Sequence, residues 1–145
     1  MTDPALATLR LQIRQMISDV LGAIGEPEET TELRRQVLST FAFGMVFAAG
    51  MGQGLEPAQV HALVVGALED SFGYNADQAV TFSEALIDAI SGESRPTSNA
   101  IIHRGIEGYR QWSERELDEL RANIAEIFAV LEDEARNGQA TDGVG

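Results

Sequence analysis

Two histidines are the side chains in this sequence best suited to proton transfer near neutral pH. His103 lies directly before Arg104 and four residues before Glu107, so on a helix its ring can reach the Glu107 carboxylate. A single His beside a Glu on a helix is most often a structural ion pair, and we expect that role here. His61 has no acid and no second His at metal-ligand spacing, and neither HExxH nor ExxH occurs in the chain. The sequence therefore predicts no metal site and no catalytic residue at either histidine.

The other reactive side chains are missing or badly placed for catalysis. All 10 basic residues are arginines and there is no cysteine. This excludes a lysine phosphate loop, a Schiff base, a thiol nucleophile and a thiolate metal site. Glu69 and Asp70 are adjacent, so on a helix their carboxylates point about 100° apart and cannot easily act together on one substrate. We expect no enzyme activity and no cofactor.

Negative charge dominates the chain and is concentrated in its middle. The formal net charge is −13, and no Arg or Lys occurs between Gln36 and Ser94. The acids of that interval are Glu56, Glu69, Asp70, Asp77, Glu84, Asp88 and Glu93. This balance excludes a phosphate-neutralising surface for nucleic acid. The acids are either the solvated faces of helices or one negative surface that speeds the encounter with a basic partner, and the two interpretations are compatible.

Apolar residues recur at helical spacing along the chain and predict an all-α fold, a single compact bundle of five or six helices. In helix two this pattern leaves almost no polar side, so the helix should be central; it includes Leu33, Val37, Leu38, Phe41, Met45 and Ala48. Asn75 to Gln78 and Ser113 to Glu116 have the capping-box spacing that begins a helix. The domain should span residues 1–136, followed by a disordered tail over 137–145 with hardly any apolar residue.

No segment of the sequence predicts export or insertion into a membrane. Met1 to Pro4 has no basic stretch leading into an apolar one. The most apolar run, Phe41 to Met51, has about half the length that a bilayer span needs. The absence of cysteine fits a reducing compartment. We therefore expect a cytoplasmic protein.

The stretch from Asn99 to Trp112 combines aromatic, charged and glycine residues within a helical pattern. Gly105, Gly108 and Trp112 fall on one stripe of the helix, with Tyr109 beside it. Two glycines on a buried stripe let another helix approach closely, at a cost of roughly 1 kcal/mol each relative to Ala. We expect helix five to pack on helix two through these glycines. Trp112 and Tyr109 are interpreted as core residues, and a role as partner anchors is left open.

A resemblance to known proteins begins in the same stretch. It is carried by N-A-I-I-H-R-G-I from Asn99 to Ile106, by Gly108-Tyr109 and Gln111-Trp112, and upstream by Pro57-x-x-Val60-His61-Ala62-Leu63 and Phe43-Gly44-Met45. Over about Leu38 to Trp112 the chain resembles the immunity protein 48 family of bacterial polymorphic-toxin loci. The resemblance implies a small protein that binds and occludes a cognate toxin domain and so protects the producing cell. It leaves open whether the motif residues are structural or binding: His103, Arg104, Gly105, Glu107, Gly108, Tyr109 and Trp112.

The negative middle of the chain suggests where such a partner would bind. A toxin with a basic surface would be attracted to the acids of helices three and four. The expected contact residues are these acids with one aromatic anchor: Glu69, Asp70, Tyr74, Asp77, Glu84 and Asp88. An effector-specific adaptor or chaperone for a secretion system is the alternative function. A homodimer is left open.

Overall fold

The computed structural model describes the backbone of residues 4–24, 32–90 and 96–144, and the side chains of residues 6–22, 32–90 and 96–134. Over these residues the chain forms six helices and no strand, which confirms the all-α class. The helices are α1 (Pro4–Ile24), α2 (Glu32–Gly52), α3 (Pro57–Phe72), α4 (Ala76–Ile90), α5 (Pro96–Ser113) and α6 (Leu117–Val144).

The central helix of the bundle is α2, as its apolar pattern predicts. Every residue from Val37 to Val46 is buried, on all sides of the helix. It packs chiefly on α5 and α3, while the other helices form a closed ring in which α1 contacts α3, α3 contacts α4, α4 contacts α5, α5 contacts α6 and α6 contacts α1. Leu33 differs from the rest of the pattern, because its side chain in the first turn is 63% exposed. No helix in the described part of the chain is long and apolar enough to cross a membrane.

Helices α2 and α5 touch backbone to backbone. A methyl group on Gly105 would overlap the carbonyl oxygen of Phe41, and one on Gly44 would overlap that of Ile102. A methyl group on Gly108 would lie 2.5 Å from Cζ of Phe41. The two glycines on the stripe of α5 therefore allow the close approach that the sequence predicts, and Gly44 is the matching small residue on α2.

Capping residues at the turn between α3 and α4 place these helices side by side. The side chain of Asn75 accepts a hydrogen bond from the backbone N–H of Gln78 at 2.8 Å, and the side chain of Gln78 accepts one from the N–H of Asn75 at 3.1 Å. This is the capping box that the spacing predicts. Gly73 ends α3 with a φ of 72°, a conformation in which a side chain would be strained.

The connection between α5 and α6 differs from the prediction. Ser113 is the last residue of α5, and Leu117 is the first residue of α6. The N–H of Glu116 donates to the carbonyl oxygen of Gln111 at 2.8 Å and closes α5 with a Schellman-type turn, in which Arg115 takes a φ of 62°. The predicted capping box at Ser113 is wrong because the chain is still completing α5 at that position.

The last helix is longer than the sequence predicts. Its backbone is helical to Val144, whereas the apolar pattern fades at about residue 136. Side chains after residue 134 lie outside the described residues. The domain limit at residue 136 and the disordered tail that follows it remain predictions.

Candidate functional site

The acids of α4 line one exposed side of that helix. Asp77, Glu84 and Asp88 are separated by seven and four residues, so they fall on one stripe, and all three are exposed. Val80 and Ile87 lie beside this stripe with 38% and 45% of their surface exposed. We call these five residues the α4 face. Its carboxylates and apolar side chains can attract a basic protein and also hold it by apolar contact.

The two neighbouring acids of α3 have different surroundings. Asp70 accepts a hydrogen bond from Nη2 of Arg14 at 2.9 Å and lies 3.9 Å from Nη2 of Arg10. These contacts join the end of α3 to α1 and offset part of the Asp70 charge. Glu69 is exposed in the last turn of α3. Glu93, the last acid of the negative interval, lies outside the described residues.

Tyr74 is a core residue rather than an exposed anchor. Its side chain is only 8% exposed and its ring stacks on Phe82, with the ring centroids 5.4 Å apart. The guanidinium of Arg35 lies over the Tyr74 ring at 4.1 Å from its centroid. The loop position of Tyr74 suggested an aromatic anchor for a partner, but the structure contradicts that role because the ring fills the space between α2 and α4.

His103 is exposed on α5 and does not form the ion pair expected of it. Glu107 instead accepts hydrogen bonds from Arg110, with Oε1 2.5 Å from Nη2 and 2.8 Å from Nε. The Arg110 guanidinium holds the pKa of the Glu107 carboxyl below its usual value. Glu107 binds Arg110 because the charge of Arg110 is permanent and its planar guanidinium donates two hydrogen bonds to the carboxylate. In the described part of the chain, His103 has no hydrogen bond or ion pair.

Arg110 lies among four carboxylates where α5 meets α6. Besides Glu107 it binds Glu114 and Glu116, the latter at 3.1 Å, and it lies 4.0 Å from Glu119. A hydrogen bond to Glu116 and the charge of that residue raise the pKa of Glu119. This cluster, the α5–α6 corner, is a second acidic patch that sequence reasoning missed. The sequence feature that could have predicted this patch is the density of acids in the segment 114–119, which lies outside the negative interval considered above.

Arg104 joins α5 to α6 through a partly buried polar network. Its guanidinium donates to Oε1 of Glu126 at 3.0 Å and to Oδ1 of Asn123 at 3.2 Å. Asn123 is buried, and its amide donates to the carbonyl oxygen of Arg104 and to Oε1 of Gln111. The pairing raises the pKa of Arg104 and lowers the pKa of Glu126. Arg104 therefore holds two helices together.

Trp112 joins α5 to α1. It is 7% exposed, and its indole Nε1 donates a hydrogen bond to Oδ2 of Asp19 at 2.9 Å. Tyr109 is half-buried, with its ring centroid 6.4 Å from that of Trp112. Trp112 thus lies in the core, where it cannot contact a partner in this conformation.

A serine and a histidine form one further pair that could suggest chemistry. Oγ of Ser83 on α4 lies 3.0 Å from Nδ1 of His61 on α3, as in a nucleophile with its base. Ser83 is completely buried, so a substrate has no access to its oxygen, and the pair instead links the two helices. Among the residues that the structure describes, no three His, Asp or Glu side chains gather closely enough to hold a metal ion.

Comparison with known protein families agrees with the resemblance noted in the sequence. The family model described as Immunity protein 48 matches residues 11–132. The chain belongs to the immunity protein 48 family. No curated protein and no solved structure matches it. The family match begins in α1 and ends in α6, so it extends well beyond the segment from Leu38 to Trp112 on which the resemblance was based.

Most residues of the α5 motif in this immunity protein 48 chain have an internal role. Ile101 and Ile102 are buried, Gly105 and Gly108 allow α5 to approach α2, Arg104 binds α6 and Trp112 binds α1. Two motif residues are exposed: Glu107 binds Arg110 of its own helix, and His103 has no bond to the described residues. The outward surfaces that could meet a partner are therefore found mainly on α4, at the α5–α6 corner and on the outside of α6.

Proposed function

We propose that this chain is a cytoplasmic immunity protein, an antitoxin that binds the toxin domain of its own polymorphic-toxin locus and blocks the toxin by covering its working surface. The observation that carries the proposal is membership of the immunity protein 48 family over residues 11–132. Inhibition by occlusion needs only binding, so the chain acts without catalysis and without a cofactor. The buried Ser83 and the structural roles of Arg104 and Trp112 fit this function.

We place the toxin on the α4 face, with Glu69 at its edge. Neither α3 nor α4 contains an arginine or lysine, so the charge of their exposed acids is not offset from within these helices. Asp70 contributes less than the sequence suggested, because Arg14 of α1 already binds it. A field of this kind speeds the association of a basic partner by roughly 10- to 1,000-fold at low salt.

The apolar side chains of the α4 face contribute short-range contacts with the toxin. Val80 and Ile87 are 38% and 45% exposed, and a partner that covers them removes this surface from water. The gain is on the order of 1 kcal/mol for each side chain. In the proposed complex, the acids therefore govern the rate of encounter, while the apolar side chains slow dissociation.

The test uses the toxin domain encoded in the neighbouring reading frame. Co-expression of the chain should rescue cells from this domain, and the purified chain should bind it and inhibit its activity. The triple reversal Asp77→Arg, Glu84→Arg and Asp88→Arg should slow association at least tenfold at low salt and flatten its salt dependence.

A matched triple reversal at the α5–α6 corner controls for total charge. Glu114→Arg, Asp118→Arg and Glu119→Arg change the net charge equally and lie outside the α4–α6 trough described below, and Asp118 is a first-turn acid of its helix, as Asp77 is of α4. Equal slowing by both variants would remove the α4 face from the proposal. Full toxin activity within a stable complex would favour the adaptor or chaperone function over the immunity function.

A further inference from the structure

Two adjoining grooves lie on the bundle beside α4. Their volumes are about 210 and 310 Å³, and Thr97, Ile101 and Leu131 line both of them. The first groove lies between the start of α2, the middle of α4 and the start of α5, and the second lies between α5 and α6. We call the combined depression the α4–α6 trough.

The trough is lined mainly by apolar side chains, some of which are unusually exposed. Leu33 at the first groove is 63% exposed, and Val130 at the second is 48% exposed. Phe82 and Leu131 form part of its wall and are only partly buried. An exposed leucine and an exposed valine in two adjoining grooves are typical of a binding site for an apolar segment of another molecule.

The charges around the trough indicate what kind of segment fits it. Ala85 lines the trough from α4, with Glu84 next to it and Asp88 three residues further along the same helix. Glu134 lines the other end. Among the described lining residues the only cation is Arg104, and it is already bound to Glu126 at 3.0 Å. One acid, Glu134, therefore lines the trough itself, and the acidic stripe of α4 lies on the outer side of the helix that forms one wall. This arrangement complements a segment whose apolar residues lie on the floor and whose basic residues extend past that wall.

We propose that the α4–α6 trough binds an amphipathic segment of the cognate toxin, whose apolar side chains lie on the trough floor while its Arg or Lys residues lie near Glu134 and extend past the wall formed by α4 toward the acidic stripe of that helix. This inference rests on the proposed function, because it takes the toxin as the occupant. A defined apolar groove makes the contact with the toxin more specific than attraction between charges alone would. The trough and the α4 face then form one continuous interface.

The first test compares two exposed leucines. Leu33→Arg places a cation in the trough, whereas Leu11→Arg makes the same chemical change at a leucine of α1 that is 65% exposed and lies outside the trough. Binding of the purified toxin domain from the neighbouring reading frame is measured for both variants by calorimetry. We expect Leu33→Arg to weaken binding at least tenfold and Leu11→Arg to change it less than twofold.

Thermal unfolding of the two variants and sedimentation of the free chain exclude other occupants. Leu33→Arg should melt within a few degrees of Leu11→Arg, and the free chain should not self-associate through the trough. A loss of thermal stability confined to Leu33→Arg would mean that the chain covers the trough itself. Self-association that Leu33→Arg abolishes would identify a second copy as the occupant. Either result would overturn the proposal.

The second test identifies the bound segment. A photoreactive p-benzoylphenylalanine replaces Leu33, or Leu11 as the control, and is irradiated in the complex with the toxin domain. Mass spectrometry should find a cross-link from position 33 only, to a toxin peptide with Arg or Lys beside helically spaced apolar residues. If the toxin binds wild type and Leu33→Arg equally, or if the cross-linked peptide is acidic, the trough is not the binding site for the toxin segment. The proposed immunity function would still stand in either case. If the toxin does not bind the wild-type chain, both proposals fail.

Discussion

Replacement of Gly105 by Ala tests the contact that fixes the architecture of the bundle. The new methyl group would overlap the carbonyl oxygen of Phe41 and approach Cα of Gly44 to 3.1 Å. Overpacking costs about 1–3 kcal/mol when neighbours can adjust, and a backbone carbonyl adjusts least, so we take about 3 kcal/mol. Ala is the better helix former by roughly 1 kcal/mol. The free energy of unfolding should therefore fall by about 2 kcal/mol, and the melting temperature by about 6 °C.

Two other glycines provide matched controls for this prediction. At Gly66 in α3, a methyl group would meet only Nη2 of Arg10 at 3.5 Å, so Gly66→Ala keeps the gain in helix propensity and should raise the melting temperature by about 3 °C. At Gly108 the obstacle is the buried ring of Phe41 rather than a backbone carbonyl, so Gly108→Ala should destabilise the fold less than Gly105→Ala. The assay is thermal and urea unfolding followed by circular dichroism. If Gly105→Ala is as stable as Gly66→Ala, the backbone contact between α2 and α5 is not as close as described.

Two further predictions concern the links between α5 and its neighbours. Trp112→Phe removes the indole donor to Asp19 and should lower the free energy of unfolding, measured in urea titrations, by about 1.5 kcal/mol. The control Tyr109→Phe should change it by less than about 0.5 kcal/mol. Equal effects of the two substitutions would contradict the role of the hydrogen bond to Asp19. Because Arg104 lowers the pKa of Glu126 below 4.5, their pair stabilises the fold above about pH 4.5 and is lost as the pH falls through the lowered pKa. The urea midpoints of wild type and Glu126→Gln should therefore differ at pH 7 and converge as the pH falls through the lowered pKa of Glu126. A gap that is independent of pH would exclude this pair as its cause.

The features that could be predicted from the sequence are those that depend on one helix at a time. The capping box of Asn75 and Gln78 follows from local spacing, because its two hydrogen bonds close within four residues. The close approach at Gly105 and Gly108 follows from two glycines on one apolar stripe, since nothing else on that stripe is small enough. The central position of α2 follows from its lack of a polar side.

The features that could not be predicted depend on residues far apart in the chain. Asp19 and Trp112 are 93 residues apart, and Arg104 and Glu126 are 22 apart, so spacing within one helix gives no indication of either bond. Helical spacing also places several possible partners within reach of Glu107. The permanent charge of Arg110, rather than the proximity of His103, explains which of them Glu107 binds. Tyr74 had the loop position of an exposed residue, but α2 and α4 converge on its ring and bury it.

The family motif and the surfaces proposed for the toxin have different tasks in this fold. The motif lies on α5, where Gly105 sets the distance to α2, Arg104 binds α6 and Trp112 binds α1, so changes in these residues act first on the bundle. The α4 face lies at the surface, so its exposed Val80 and Ile87 can vary at little cost to the core. Toxin recognition on α4 and its adjoining trough, as proposed, is therefore compatible with the structural role of α5, because the residues that hold the helices together are not those that would select the partner.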